Sequence, residues 1–286
     1  MRYNRISPLS ELSLLIQEAF LVLIGETRNL IISLLFPVIA MAVTIWIAGE
    51  DMFNNFESTK SACFIVVCAA IWCGLFNSIQ VVVKERAIIK REYVSGALRI
   101  ACYTGSRTVL QTVLCLIQSL MLTLCFPGVE LIYGNDMPSG GLLFDAVFFE
   151  FYISVFLLML AADALGLMIS CFVKSEQLAS QLSPYILIVQ LLFSGVLFPM
   201  EGASSTVSAL MLSRWGMEAL GSACALNGLP LRLQEEFPMI PHEADDAFSY
   251  ELEHLLLVWL ILVVFIVVPI VIGNFGLHRV KHDNRD

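Results

Sequence analysis

Charge is what this chain has least of. Lys, Arg, Asp and Glu make up 14% of 286 residues, against 58% hydrophobic residues and a mean hydropathy of +0.82. That balance excludes a water-soluble globule, because one soluble core of this length could not bury so much apolar surface. Histidine is also scarce, at four residues. All four lie outside the long apolar runs or at their ends, and His242 and His254 have no tight ligand spacing, so no metal site is expected. The chain contains no GxxxxGK[ST] phosphate loop, no GxSxG elbow and no HExxH pair. The eight cysteines suggest no framework. Cys63, Cys68, Cys73, Cys102, Cys115, Cys125 and Cys171 fall in or beside apolar runs or on the cytoplasmic side, and only Cys224 is clearly placed towards the outside, so free thiols are expected. Period-two alternation is missing, which argues against an outer-membrane barrel. No internal repeat is evident. No cleavable signal peptide is expected either: the run Leu12 to Ile24 is interrupted by Gln17 and Glu18 and is followed by a basic residue.

What is present is a series of apolar runs. A spanning helix needs roughly 20 apolar residues, since the hydrocarbon is about 30 Å thick and a helix rises about 1.5 Å per residue. Six segments qualify: Asn29 to Ala48, Ser61 to Val83, Thr104 to Phe126, Leu142 to Val173, Pro184 to Phe198 and His254 to Leu277. The fifth is short, with an earlier start near Leu178 or a break at Gly195 and Pro199 as alternatives. The fourth is long, and Asp145 and Glu150 place its first turns in the interface. The fold class expected is all-α, a polytopic membrane protein with six transmembrane helices over residues 29–277 and a cytoplasmic tail over 278–286.

Basic residues orient these spans through the positive-inside bias. Arg2, Arg5 and Arg28 precede the first span, and Lys84, Arg86, Lys90, Arg91, Arg99 and Arg107 separate the second from the third. Lys174 follows the fourth, and Arg279, Lys281 and Arg285 close the chain. Only Lys60, Arg214 and Arg232 fall on the other side. Both termini are therefore expected in the cytoplasm, with the protein in the plasma membrane. The net charge of −9 collects on the outer face, among residues such as Glu50, Asp51, Glu130, Glu201, Glu235 and Asp245. It reads as a wet external surface, and nucleic acid is not an expected partner.

Three further segments carry information. Residues 1–28 form an amphipathic connecting helix on the membrane surface, with Ser10 as cap, Glu11 in the first turn, and Leu12, Leu15, Ile16 and Ala19 on one side. The segment 201–253 is too polar for a lipid-facing span in Ala203 to Leu226. It fits a re-entrant or outer-leaflet helical pair packed on protein, followed by an external loop. Asp163 is the one buried charge expected at depth. An ionised group there costs about 2.5 to 3.5 kcal/mol, so it is expected to face protein or be protonated.

The motifs GETRN at Gly25 to Asn29 and KERAIIKREYVSG at Lys84 to Gly96 are followed by Tyr103 and Ser106. Later come ALGLMIS at Ala164 to Ser170, LFSGVLF at Leu192 to Phe198 and SRWGMEAL at Ser213 to Leu220. In this order, with six spans, the chain resembles the membrane domain of ABC-2 type exporters, particularly the G-subfamily with its white-like and multidrug half-transporters. The resemblance covers almost the whole length. It implies that residues 84–98 form a coupling helix docking on an ATP-binding domain, with Glu85, Arg86, Lys90, Arg91 and Glu92 as its contacts. It further implies a substrate pathway along Val66, Ala70, Cys73 and Asn77 of the second span and Ile188 and Leu191 of the fifth, with Val196 and Leu197 as a hydrophobic valve. No catalytic residue is expected in this chain. ATP and Mg are expected on a partner subunit or on a part of the protein missing from this sequence, and a second permease copy is expected to complete the pathway. The external loop departs from some animal members in lacking their cysteine cluster and N-x-[ST] sequons. Membrane lipid and a hydrophobic or amphipathic small-molecule substrate are the other expected partners. An ATP-independent channel or secondary carrier, which usually shows inverted repeats or several intramembrane ionisable groups, and a membrane-bound lipid-modifying enzyme using Asp163 are the alternatives.

Overall fold

The computed structural model describes residues 7–138, 140–198, 200, 202–231 and 245–282. Every regular element among them is helical, as a chain without water to satisfy its backbone requires. Among the described residues, six helical runs are long and apolar enough to cross a membrane: Pro8–Gly25, Thr27–Ala48, Phe56–Ser95, Ile100–Tyr133, Val147–Phe172 and Leu252–Val280.

α1 (Pro8–Gly25) starts two residues before the expected cap, because Ser7 rather than Ser10 accepts the first-turn N–H, from Ser10 at 3.2 Å. Glu11 is therefore free for another task. Ala19 is buried and Leu12, Leu15 and Ile16 are half-buried, on one face, whereas Leu9, Leu14, Leu21 and Ile24 are exposed. A break at Glu26 separates α1 from α2 (Thr27–Ala48). α3 (Phe56–Ser78) is capped by Asn55, whose Oδ1 accepts from Ser58 N at 3.0 Å. It ends five residues before the expected end of the second span, and α4 (Val81–Ser95) begins there. α5 (Ile100–Thr123) is extended by α6 (Cys125–Tyr133).

α7 (Val147–Phe172) is the central post, packing on α3, α5, α10 and the last helix. The expected interfacial start is split by the structure. Asp145 is exposed, but Glu150 is fully buried, and its Oε1 accepts from the backbone of Leu143 at 2.5 Å and Phe144 at 3.3 Å. One oxygen of this carboxylate folds the loop that precedes it, while Oε2 is buried without a hydrogen-bond partner among the described residues.

α8 (Glu176–Leu192) begins close to the earlier of the two expected starts, with Ser175 as its cap. It holds 17 residues, about 25 Å at the helical rise, and the chain then turns at Gly195, whose φ of +79° suits a residue without Cβ. α9 (Ala203–Ser208) and α10 (Leu212–Ala223) make a helical pair, α10 resting on α3, α7 and the last helix. The acidic loop over 232–244 lies outside the described residues. α11 (Leu252–Leu277) closes the bundle, with Trp259 Nε1 donating to Ser154 Oγ of α7 at 2.9 Å.

Close packing of α3 on α7 depends on two glycines. A Cβ at Gly74 would lie 2.1 Å from the Met159 carbonyl and 2.9 Å from Asp163 N, and one at Gly166 would lie 2.8 Å from the Leu75 carbonyl. Small residues let helix backbones approach where lipid gives no hydrophobic drive. Gly74→Ala is therefore expected to destabilise the bundle by about 1–3 kcal/mol through overpacking, read as a lower thermal midpoint in detergent. Gly25→Ala, where a Cβ meets nothing within 4 Å, is the control and leaves the midpoint unchanged or higher.

Candidate coupling and transport site

The charged segment between the second and third spans folds as α4, which stands against the ends of four other helices. Its N-terminal N–H groups are satisfied from across the bundle: Ser170 Oγ of α7 accepts from Val82 N at 3.0 Å and Val83 N at 3.2 Å. Its C-terminus is closed by Gly96 at φ +76°, whose N–H reaches the Glu92 and Tyr93 carbonyls. Val82 and Ile89 are buried in a second apolar cluster with Leu98, Ile100, Tyr103, Leu167, Cys171 and Leu277.

Among the five expected contact residues, Glu85 and Arg86 are tied to other helices. Glu85 accepts from Arg107 Nη2 at 2.7 Å and from the Tyr103 hydroxyl at 2.5 Å, with the guanidinium 5.2 Å over the Tyr103 ring. Arg86 donates to the Cys171 and Val173 carbonyls at 3.0 and 3.1 Å, capping α7. Tyr93 adds a hydroxyl contact to His278 Nδ1 at 3.1 Å, and Gln80, just before α4, donates to Ser180 of α8 at 2.7 Å. Lys90 and Glu92 are half-buried and Arg91 is exposed. The outward stripe is Lys84, Ala87, Ile88, Arg91, Val94 and Ser95, one helical face by spacing. Ile88 and Val94 are 52% and 66% exposed.

Beside α4, the α1 carboxylate of Glu11 accepts from Arg99 N at 2.6 Å and Arg99 Nη1 at 3.0 Å. Sequence reading took Glu11 for a first-turn acid and Arg99 and Arg107 for topology markers. Nothing local pairs residues that far apart, although the scarcity of charge made a partner for each worth seeking.

Of the expected pathway residues, Val66 and Ala70 are fully buried in the core of their own chain. Cys73 and Asn77 instead reach a cavity of about 470 Å³ between α2 and α3, lined also by Ser33, Phe36, Trp72, Phe76 and Gln80. Its rings are in contact: Trp72 stacks on Phe76 at 5.9 Å and Phe36 lies 6.4 Å from Trp72. Its floor is an uncharged polar network. Ser33 Oγ donates to Asn77 Oδ1 at 3.2 Å, Asn77 Nδ2 to Gln118 Oε1 at 2.6 Å, Gln118 back to Ser33 Oγ at 2.6 Å, and Gln111 to the Asn77 carbonyl at 3.1 Å. The outward stripe of α3 holds Cys68, Trp72 and Phe76 rather than Val66 and Ala70. On α8, Ile188 is 51% exposed in a stripe with Tyr185 and Leu192, while Leu191 is half-buried. Asp163 is buried against α3, where its carboxylate accepts from Ser78 Oγ.

Val196 and Leu197 line a second cavity, about 490 Å³, with Lys60, Arg214, Met217, Glu218 and Phe248. Arg214 Nε donates to Glu218 at 2.8 Å. Burial raises the Glu218 carboxyl above its ordinary range, opposed by the hydrogen bond and charge of Arg214. No group of three or more His, Cys, Asp or Glu able to hold a metal occurs among the described residues.

A helix bound to one end of the bundle, with one bare face, set between helices long and apolar enough to cross a membrane, fits the membrane component of a transporter. The chain belongs to the ABC-2 type transporter family, whose match covers residues 10–223, from the first turn of α1 to the end of α10. It is also 29% identical over 153 residues to the ABC transporter ATP-binding/permease protein Rv1747 of Mycobacterium tuberculosis (strain ATCC 25618 / H37Rv). That likeness takes in 52% of this chain and 17% of the relative, so this chain spans well under two thirds of that protein.

Removing the Glu85 carboxylate leaves the Arg107 side chain, 10% exposed, without its partner. Glu85→Ala is expected to cost about 2–3 kcal/mol, measured by a double-mutant cycle with Arg107→Ala on thermal unfolding, in which the second substitution adds little to the first.

Proposed function

We propose that this chain is the membrane-spanning permease of an ATP-driven exporter, akin to the G-subfamily, moving hydrophobic or amphipathic molecules by alternating access. ATP is hydrolysed on an ATP-binding domain supplied by another subunit or another part of the protein. Two permease copies form the working unit, with both termini cytoplasmic in the plasma membrane. Family membership, and a relative whose name joins ATP-binding to permease, support this reading.

The observation that carries it is α4. Its outward stripe combines apolar Ile88 and Val94 with basic Lys84 and Arg91, a mixture that suits a protein partner better than water. Its inward side is tied by Glu85 to α5, by Arg86 and Ser170 to α7 and by Tyr93 to His278. A partner that pulls on the stripe therefore moves helix ends rather than a loose loop. Glu85 and Arg86 serve as anchors in this scheme, while Lys90, Arg91 and Glu92 remain the candidate partner contacts.

The cavity between α2 and α3 gives the substrate reading its support. Aromatic walls over an amide and hydroxyl floor accept an amphiphile with a ring or chain and a hydrogen-bonding group. The exposed stripes of α3 and α8 are the surfaces we assign to the second copy and the pathway between copies. Val196 and Leu197 stand past the end of α8, where an apolar constriction would exclude water and ions.

Co-expression with a cognate ATP-binding subunit is the test. The wild-type permease is expected to co-purify with that subunit and to couple its ATPase to export. Ile88→Asp with Arg91→Glu is expected to lower capture by about tenfold or more, consistent with losing more than about 1.4 kcal/mol at an interface, while leaving the permease folded. Undiminished capture and coupled ATPase in that variant would remove α4 as the docking element. Trp72→Ala is expected to reduce export with capture of the ATP-binding subunit unchanged.

A further inference from the structure

Cysteine spacing suggested no framework, yet folding brings two thiols together. Cys63 lies near the start of α3 and Cys224 at the C-terminal end of α10, and their sulfurs are 3.5 Å apart across 161 residues of sequence. We propose that this pair is a disulfide site, stapling α10 to α3.

The geometry needs little change. A disulfide has a sulfur–sulfur length of about 2.05 Å, so closure asks for about 1.5 Å of approach, within reach of small side-chain rotations. The two helices also pack closely nearby: a Cβ at Gly216 of α10, about two turns before Cys224, would lie 3.3 Å from Val67 Cγ1 of α3, one turn after Cys63. Both thiols are buried, at 0% and 1% exposure, so the bond forms before α10 has fully seated and is shielded afterwards.

The compartment argument rests on the orientation given under Proposed function. There α10 and the first turns of α3 face outwards, where disulfides persist. Formation is an exchange: the Cys63 and Cys224 thiols lose two protons and two electrons, and the disulfide of an extracytoplasmic thiol oxidoreductase is reduced to a dithiol. The consequence is local. α10 contributes Arg214, Met217 and Glu218 to the cavity that holds Val196 and Leu197, so the staple fixes one wall while the turn after α8 stays free. Cys125 is buried in the same core cluster and is the competing partner.

The test uses the full-length protein in native membranes, with free thiols blocked by N-ethylmaleimide under denaturing conditions and a non-reducing digest read by mass spectrometry. The expected result is a linked Cys63 and Cys224 peptide pair, two hydrogens lighter than the separate peptides, absent after reduction and absent in Cys63→Ser. Reduction is expected to lower the thermal midpoint by about 5–10 °C. Recovery of both residues alkylated, or linkage of either to Cys125, would overturn the proposal. Tyr250→Cys in a Cys63→Ser, Cys224→Ser background, probed with an impermeant maleimide on intact cells, reads orientation separately. External labelling with free wild-type thiols sinks the staple alone, whereas labelling only from the cytoplasmic side sinks the orientation and the staple with it.

Discussion

The crossing of α3 and α7 is the constraint on which the rest of the bundle depends. At Gly74 and Gly166 the two backbones approach to distances that leave no room for a Cβ. That approach brings Ser78 against Asp163 and so gives the one acid at this depth a donor. It also sets the height of Ser170 relative to α4, because Ser170 lies one turn beyond Gly166 on the same helix. The start of α4 is thus determined by how closely two other helices pack. Core packing at the crossing and the placement of α4 are one problem.

From this arrangement α4 gains a definite mechanical character. Its hydrogen bonds run to α5, α7 and the segment after α11, and Gln80 beside it reaches α8. The contacts to α5 and α7 are charge-assisted or backbone bonds with partly buried partners, which hold geometry better than exposed ion pairs, whereas those of Tyr93 and Gln80 reach the exposed His278 and Ser180. The apolar exterior elsewhere requires no such explanation in a lipid solvent.

Hydrophobic periodicity made most of the helices legible, because long apolar runs admit few other structures in a membrane. It misplaced ends where a turn was decided by a distant group. α3 gives way to α4 because Ser170 caps the new helix, and no neighbour of Val81 announces that. Glu150 looked interfacial because its local sequence is acidic, but its partners are backbone N–H groups of a loop whose shape the sequence does not reveal. Site residues divide on the same principle. Asp163 and Arg91 stand out by residue type against their surroundings, whereas Val196 and Leu197 were implied only by the family resemblance. The turning of Val66 and Ala70 into their own core, and of Trp72 and Phe76 outwards, depends on which side of α3 meets α7. A helical wheel that is apolar all round cannot say which side that is.

The junction of Glu11 with Arg99 has a bearing on how force and sequence enter the molecule. Pro8 is held there too, its carbonyl accepting from Cys102 Sγ at 3.6 Å. Residue 8 is thereby moored at Cys102, six residues past Gly96, the cap of α4. The first turn of α1 and the end of α4 converge on the head of α5. The two helices share a single anchorage, so a displacement of either is felt first there.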